Sequence, residues 1–127
     1  MVKKFDASLI KSNKNLIKIK GNIGEELAIN YMIKNSYTII NRNFKCFIGE
    51  IDMIAKDQDD VLIFVEVKAR GTAKFGYPRV AVTPEKQRKI RRTAEFYLKV
   101  NKLYNTRVRF DVIEILAGEI THLKNAF

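Results

Sequence analysis

The sequence is poor in the residues on which several kinds of protein chemistry depend. Its 127 residues include one cysteine, Cys46, one histidine, His122, and two prolines. A single cysteine excludes an internal disulfide, and one cysteine with one histidine excludes a Cys/His zinc site and a convincing Cys–His nucleophile pair. A chain of this length can stay folded by apolar burial alone, without a disulfide or a structural metal. We therefore expect a reducing cytoplasm as its compartment.

Long apolar runs are also missing. The N-terminal segment is interrupted by lysines throughout and has no apolar stretch of the length found in a signal peptide. The longest uninterrupted apolar run, residues 61–65, is too short to cross a bilayer. We therefore expect neither secretion nor membrane insertion.

Acidic residues are in the minority. The chain has 14 of them against 24 lysines and arginines, which gives a net charge of +10 and a pI near 9.8. The excess lies in two segments, residues 1–20 and 84–102, each with a net charge of +5, while the rest is neutral. Two basic segments around an acidic middle predict a protein that binds a polyanion and handles a cation near it. A simpler interpretation is that the basic faces are only solvated, although a lysine bias does not explain Arg88, Arg91 and Arg92 on one segment.

No repeat, low-complexity stretch or linker divides the chain. With 46% hydrophobic and 30% charged residues, the composition is typical of one globular domain, predicted at residues 21–127 after a basic arm at residues 1–20. Periodicity and turn signals predict helices over 23–34 and 84–102 and strands over 37–44, 50–56, 61–68, 107–116 and 119–123. The predicted fold is an α/β fold with a mixed sheet flanked by helices, in the order α-β-β-β-α-β-β.

Local signals support this order. The first helix has an apolar stripe that includes Leu27, Ala28, Tyr31 and Met32, and the sequence DQDD at 57–60 favours a hairpin turn. Thr83 followed by proline and glutamate is typical of a helix start. The second helix is expected to bury the apolar residues Ile90, Ala94, Tyr97 and Leu98.

Charged residues interrupt two of the apolar strands. Glu66 and Lys68 lie two positions apart on the third strand and project to the same face. Burying an uncompensated charge there would cost several kcal/mol, so the two residues either pair with each other or face a site. The hairpin between the second and third strands places Asp52 level with both of them.

Two carboxylates and a lysine at one point are suited to magnesium chemistry. Oxygen ligands hold Mg²⁺, and the bound ion polarises a phosphodiester and its own water. A nearby lysine can orient or deprotonate the attacking water or stabilise developing charge. Glu50 shares a face with Asp52 and is interpreted either as a further residue of the metal site or as a cap or ion-pair partner of an arginine such as Arg42.

These patterns resemble the PD-(D/E)xK, or restriction-endonuclease-like, nuclease superfamily. More narrowly, the chain resembles the YraN-like family of small bacterial proteins, which is related to archaeal Holliday-junction resolvases. The matching motifs are GxxGE at 21–25, AxxY at 28–31, RNF at 42–44, GEIDMIA at 49–55, FVEVKAR at 64–70, AVTPEKQRKI at 81–90 and RFDVIEI at 109–115. The residue before the aspartate is Ile51, where the superfamily pattern has proline; the YraN-like pattern shares this departure.

The resemblance implies a restriction-endonuclease-like core and a role for each matching residue. Asp52 and Glu66 would bind Mg²⁺ or Mn²⁺, Lys68 would be the catalytic lysine, and Glu25 would add a carboxylate. Helical spacing puts Glu25 at the edge of the apolar stripe and Glu26 on the solvated side. Gln87 resembles a glutamine at the edge of related sites, and a buried hydrogen-bonding role is an equal alternative.

The implied activity is metal-dependent hydrolysis of DNA, with branched DNA as one candidate substrate. The alternatives are a non-catalytic nucleic-acid-binding protein on the same fold and an RNA-directed nuclease. A homodimer is compatible with cutting two strands. The basic residues expected to contact phosphates, or alternatively solvent, are Arg70, Lys74, Arg79, Lys86, Arg88, Lys89, Arg91 and Arg92. We interpret Cys46 as a small apolar filler, Tyr97 as core and His122 as a surface residue.

Overall fold

The computed structural model describes residues 16–70 and 82–127. Two helices and five strands follow one another in the predicted order α-β-β-β-α-β-β. They are α1 (Leu16–Lys34), β1 (Thr38–Lys45), β2 (Glu50–Lys56), β3 (Leu62–Arg70), α2 (Pro84–Val100), β4 (Val108–Leu116) and β5 (Glu119–Leu123).

The first helix begins earlier than the sequence predicts. It starts at Leu16 rather than at position 23, so residues 16–20 of the predicted basic arm are helical. The glycine at position 21 does not end the helix, because one internal glycine costs only about 1 kcal/mol relative to alanine. Residues 1–15 lie outside the described residues, so most of the predicted arm stays a prediction.

The five strands form one sheet in the order β1-β2-β3-β4-β5. All neighbouring pairs are antiparallel except β3 and β4, which are parallel because α2 carries the chain from one to the other. The predicted mixed sheet is therefore confirmed, and β3 is its central strand. No helix within the described ranges is long and apolar enough to cross a membrane.

The core has one layer on each face of the sheet. On one face, Ala28 and Met32 of α1 pack against a cluster that includes Ile63 and Val65 of β3. On the other face, α2 packs against a cluster that includes Phe64 of β3. Of the four α2 residues expected to be buried, Ile90, Ala94 and Tyr97 are buried and Leu98 is partly buried. Because side chains alternate along a strand, Glu66 follows Phe64 to the α2 face.

Local capping follows the predicted signals. The Thr83 hydroxyl accepts a hydrogen bond from the backbone N–H of Lys86 at 3.1 Å, and Pro84 occupies the first turn of α2. In the β2–β3 hairpin, the Asp57 carboxylate accepts hydrogen bonds from the backbone N–H groups of Asp59 and Val61. This short, internally bonded turn sets the register in which β2 and β3 pair.

Helix α1 approaches the end of β3 unusually closely. A Cβ atom at Gly24 would lie 2.6 Å from the Cβ of Ala69, a distance that real Cβ atoms do not tolerate. Only glycine fits at this contact. The contact holds α1 against the strand directly after Lys68, and so places Glu25, the next residue of the helix, near the end of the sheet.

Candidate active site

The β2–β3 register brings Asp52 and Glu66 together. The pairing ends with Met53 opposite Val65, and the next residues of the two strands at this end are Asp52 and Glu66, whose charges repel each other. The Asp52 carboxylate accepts a hydrogen bond from the backbone N–H of Val67 at 2.8 Å, which holds it beside β3. Glu66 is buried, with its side chain 10% exposed. The two acidic residues selected from the sequence therefore share one place in the fold.

The surroundings of Asp52 oppose its negative charge. Burial raises the pKa of Asp52 to about 7, and the negative charges of Glu66 and Glu25 act in the same direction. The hydrogen bond from Val67 and the charge of Lys86 lower this pKa but do not outweigh the other effects. The influence of Glu25 shows that helix α1 brings a third carboxylate within electrostatic range of the pair.

Lys86 provides positive charge at this cluster. Its Nζ donates a hydrogen bond to Glu66 Oε1 at 2.9 Å, while its side chain remains 47% exposed. Burial favours the neutral amine, but the hydrogen bond and the charge of Glu66 more than compensate, so the pKa of Lys86 is raised. From the sequence, Lys86 is predicted only as a phosphate contact. Its place in the first turn of α2, four residues before the buried Ile90, was the available signal that it faces the sheet.

Lys68 lies on β3, two residues beyond Glu66. Its pKa is lowered, first by burial and next by the positive charge of Lys86, while Glu66 acts in the opposite direction. On the neighbouring parallel strand β4, the buried Glu114 pairs with Lys68. Like Glu66, its negative charge opposes the lowering of the pKa of Lys68. Sequence reasoning missed Glu114, which interrupts the apolar strand 107–116 just as Asp52 interrupts β2.

Gln87 follows Lys86 in the first turn of α2, and Glu50 is the first residue of β2. The Gln87 side-chain amide donates a hydrogen bond to the backbone carbonyl of Val82 at 3.0 Å, which agrees with the hydrogen-bonding alternative. Glu50 is exposed, and its charge contributes to the raised pKa of Lys86. Arg42 forms its ion pair with Glu26 of α1 and not with Glu50. The ion pair suggested for Glu50 with Arg42 is therefore wrong.

The basic residues proposed as phosphate contacts do not share one face. Lys86 and Lys89 border a groove beside the β1–β2 hairpin. The Arg91 guanidinium instead lies over the Phe110 ring, 4.8 Å from its centroid. Arg88 and Arg92 are exposed, and Arg70 is close enough to lower the pKa of Lys68. Lys74 and Arg79 lie outside the described residues.

The carboxylates fit a magnesium ion in number and kind. Within residues 16–70 and 82–127, no three Asp, Glu, His or Cys side chains are already arranged to hold a metal. Mg²⁺ needs less than that, because it is commonly held by one or two carboxylates and completes its shell with water and substrate phosphate. Asp52 and Glu66 supply such a pair, and Glu66 already accepts a hydrogen bond from the Lys86 ammonium.

A second polar cluster lies on the α1 face of the sheet, and its centre is Asp111. This fully buried carboxylate accepts hydrogen bonds from Arg109, from His122 Nε2 at 2.7 Å and from the backbone N–H of Asn125. The other ring nitrogen of His122 is 3.0 Å from the Tyr31 hydroxyl. The His122 side chain is only 4% exposed. The interpretation of His122 as a surface residue is wrong, because the β5 strand returns it to the core.

Two solved structures resemble the chain weakly. The crystal structure of SSO0001 aligns with a TM-score of 0.42 and 15% identity, over 93% of this chain and 54% of that one. The structure of Pyrococcus furiosus SfsA in complex with Ca²⁺ aligns with a TM-score of 0.31 and 14% identity, over 85% of this chain and 63% of that one. The chain thus spans less than two thirds of either protein.

Sequence relatives are much closer. A UPF0102 protein of Clostridioides difficile is 47% identical over 112 residues, which cover 87% of this chain and 97% of that protein. A UPF0102 protein of Caldicellulosiruptor saccharolyticus is 44% identical over 113 residues, covering 84% and 95% respectively. The family model described as "Uncharacterised protein family UPF0102" matches residues 24–115, a span that contains Glu25, Asp52, Glu66 and Lys68. The chain therefore belongs to the UPF0102 family.

Proposed function

We propose that this protein is a metal-dependent endonuclease of the PD-(D/E)xK superfamily that hydrolyses phosphodiester bonds in DNA. The observation that carries the proposal is the placement of Asp52, Glu66 and Lys68 at the end of two adjacent strands. Asp52 is held there by Val67 N–H at 2.8 Å, and Glu66 is contacted by Lys86 at 2.9 Å. Keeping the buried Glu66 and the partly buried Asp52 side by side is costly, which favours a functional role.

Each residue has a role consistent with its surroundings. Asp52 and Glu66 would hold Mg²⁺ or Mn²⁺, with Glu25 as an additional carboxylate. Such an ion supplies Lewis-acid chemistry to the scissile phosphate. Burial lowers the pKa of Lys68, which makes its amine better able to orient the attacking water and accept its proton. Lys86, half exposed beside Glu66, is positioned to meet a phosphate that enters from the α2 side.

Charge supports a nucleic acid as the substrate. The chain carries a net charge of +10, and Lys45, Lys86 and Lys89 line one groove next to the carboxylates. Phosphate groups provide most of the affinity in protein–nucleic acid binding, and lysines of this kind are their partners.

Cleavage assays on a substrate panel test the proposal directly. The purified protein is incubated with labelled linear, flapped and four-way DNA and with RNA, in Mg²⁺, Mn²⁺ or EDTA. We expect cleavage of DNA with either metal and none in EDTA. If no DNA substrate is cut with either metal, the protein is not a nuclease on these substrates and the binding-protein alternative is favoured.

The adjacent residues Glu25 and Glu26 provide a matched pair of variants. Glu25→Gln is expected to slow cleavage by about tenfold or more, equivalent to about 1.4 kcal/mol of transition-state stabilisation, because it removes a carboxylate near Asp52. Glu26→Gln removes only the surface ion pair with Arg42, which is expected to be worth about 1 kcal/mol of stability or less and to leave the rate unchanged.

The readouts are the single-turnover cleavage rate and the melting temperature of both variants. A Glu25→Gln protein that cuts at the wild-type rate would remove Glu25 from the site, whatever its melting temperature. A slow Glu26→Gln protein would show that the ion pair with β1, rather than a carboxylate near Asp52, is what matters on this helix.

A further inference from the structure

A groove of about 430 Å³ lies between the β1–β2 hairpin and α2. It is lined by Lys45, Cys46, Gly49, Glu50, Lys86, Lys89 and Ile90. Lys86 lines this groove and also contacts Glu66, so the groove and the candidate active site share this residue. Its lining contains three lysines and one glutamate, and an occupant that carries negative charge is therefore favoured.

An exposed aromatic residue follows Cys46, one of the residues that line the groove. Phe47, in the turn between β1 and β2, is 86% exposed, more than any other large hydrophobic residue in the described part of the chain. Its ring contacts Phe96 of α2 edge to face, with 5.4 Å between the centroids and 88° between the planes. Phe47 is thus supported from the protein side while most of its surface meets solvent.

The hairpin that carries Phe47 is held close to α2. A Cβ at Gly49 would lie 3.0 Å from Thr93 Oγ1 and 3.4 Å from Lys89 Cγ, so the hairpin lies tightly against the helix. The Cys46 N–H donates to the Gly49 carbonyl at 2.9 Å and closes the turn. These contacts hold the hairpin that carries Phe47 against α2, which contributes two of the groove lysines.

A ligand for this surface would carry phosphate for the lysines and a flat ring face for Phe47, and few ligands carry both. Lysines in a groove bind backbone phosphates, and an exposed ring at its edge stacks on a base. In a duplex the base faces are already covered by their neighbours, so only an unpaired nucleotide offers a face to Phe47. We propose that the groove binds the backbone of an unpaired DNA strand and that Phe47 stacks on one of its bases.

This inference rests on the proposed function in one respect. If the protein is a nuclease, its substrate would be DNA with unpaired nucleotides beside the point of cleavage. The binding itself requires neither metal nor catalysis. It is therefore measured in EDTA, by fluorescence anisotropy of a labelled oligothymidine and of a duplex of the same length.

Phe47→Ala is expected to weaken binding of the single strand by about tenfold, which equals about 1.4 kcal/mol, and to change duplex binding less than about twofold. Phe47→Trp is expected to retain single-strand binding, because tryptophan restores a stacking surface. Tyr104→Ala is the matched control, since Tyr104 is another exposed aromatic, 74% exposed, in the connection after α2; it should bind as wild type.

The double variant Lys45→Gln, Lys89→Gln should reduce the salt dependence of single-strand binding, each lost phosphate contact lowering the slope of log affinity against log salt concentration by about 0.7.

Several results would overturn the inference. The first is that Phe47→Ala binds the single strand as tightly as wild type does. The second is that Phe47→Ala loses equal affinity for duplex and single strand. The third is that Phe47 is needed for binding RNA but not DNA. Conversion of a dimer to a monomer by Phe47→Ala in sedimentation velocity, with unpaired-DNA binding unchanged, would identify the ring as a subunit contact instead. Absence of cleavage would count against the proposed nuclease alone, because the binding assay contains no metal.

Discussion

Asp52→Asn and Lys68→Ala are each expected to lower metal-dependent DNA cleavage by at least about a hundredfold, the scale on which a positioned acid, base or metal ligand contributes. The first removes the negative charge that Val67 N–H holds beside Glu66. The second removes an amine whose pKa is lowered by burial and by Lys86. The measurement is the single-turnover rate on the best substrate of the panel.

The folded state should survive both substitutions. Asp52→Asn relieves repulsion from Glu66 and Glu25, so its melting temperature is expected to equal or exceed that of the wild type. Asp59→Asn, an equivalent change at an exposed position in the β2–β3 turn, should cut at the wild-type rate. Equal residual cutting by wild type, Asp52→Asn and Lys68→Ala would mean that the activity comes from a contaminant and that this assignment is wrong.

Asp111→Ala is expected to lower the free energy of unfolding by about 3–5 kcal/mol, the usual consequence of removing one partner from a buried ion pair. The substitution leaves Arg109, the nearly buried His122 and the Asn125 N–H without their shared acceptor. In a domain of this size the melting temperature should fall by roughly 10 °C or more. Glu119→Gln, at an exposed position on β5, should melt within a degree or two of wild type.

The contribution of Asp111 to the free energy of unfolding should decrease at acid pH. Burial opposes its charge, but the hydrogen bonds from His122 and Arg109 outweigh this and lower the pKa of Asp111. A carboxyl with a lowered folded-state pKa stabilises the fold fully above its unfolded pKa of about 3.9, and this stabilisation is lost as the pH falls through the folded value. The other charged or titratable groups of the cluster are Asp57, which is 3.7 Å from Arg109, and the hydroxyls of Tyr31 and Tyr37.

Urea unfolding of wild type and Asp111→Ala at pH 7, 5 and 3 measures this dependence. The difference in unfolding free energy between the two proteins should be smaller at pH 3 than at pH 5 or pH 7. A difference that does not change with pH would show that the side chain stabilises the fold by packing rather than by its charge.

Asp52 and Asp111 show where sequence reasoning is strong and where it fails. Both aspartates interrupt an apolar strand, so the sequence signal is the same. Asp52 was placed beside Glu66 correctly because the short DQDD turn leaves one practical register for β2 and β3. Asp111 was not recognised as the centre of a cluster, because its partner His122 arrives on β5 and Tyr31, which bonds that histidine, lies 91 residues away from it in the chain.

The sequence by itself determined the order and type of the elements, the mixed sheet and the proximity of Asp52 to Glu66. These features depend on apolar periodicity, turn residues and one short hairpin, all of which act between near neighbours in the chain. Only the tertiary structure decided that Lys86 contacts Glu66, that Gly24, the neighbour of Glu25, lies against Ala69, and that Phe47 packs on Phe96 of α2. These contacts join helices and strands that are far apart in the chain. Their geometry depends on how side-chain volumes fit at the helix–sheet interfaces, and a local sequence pattern does not contain that information.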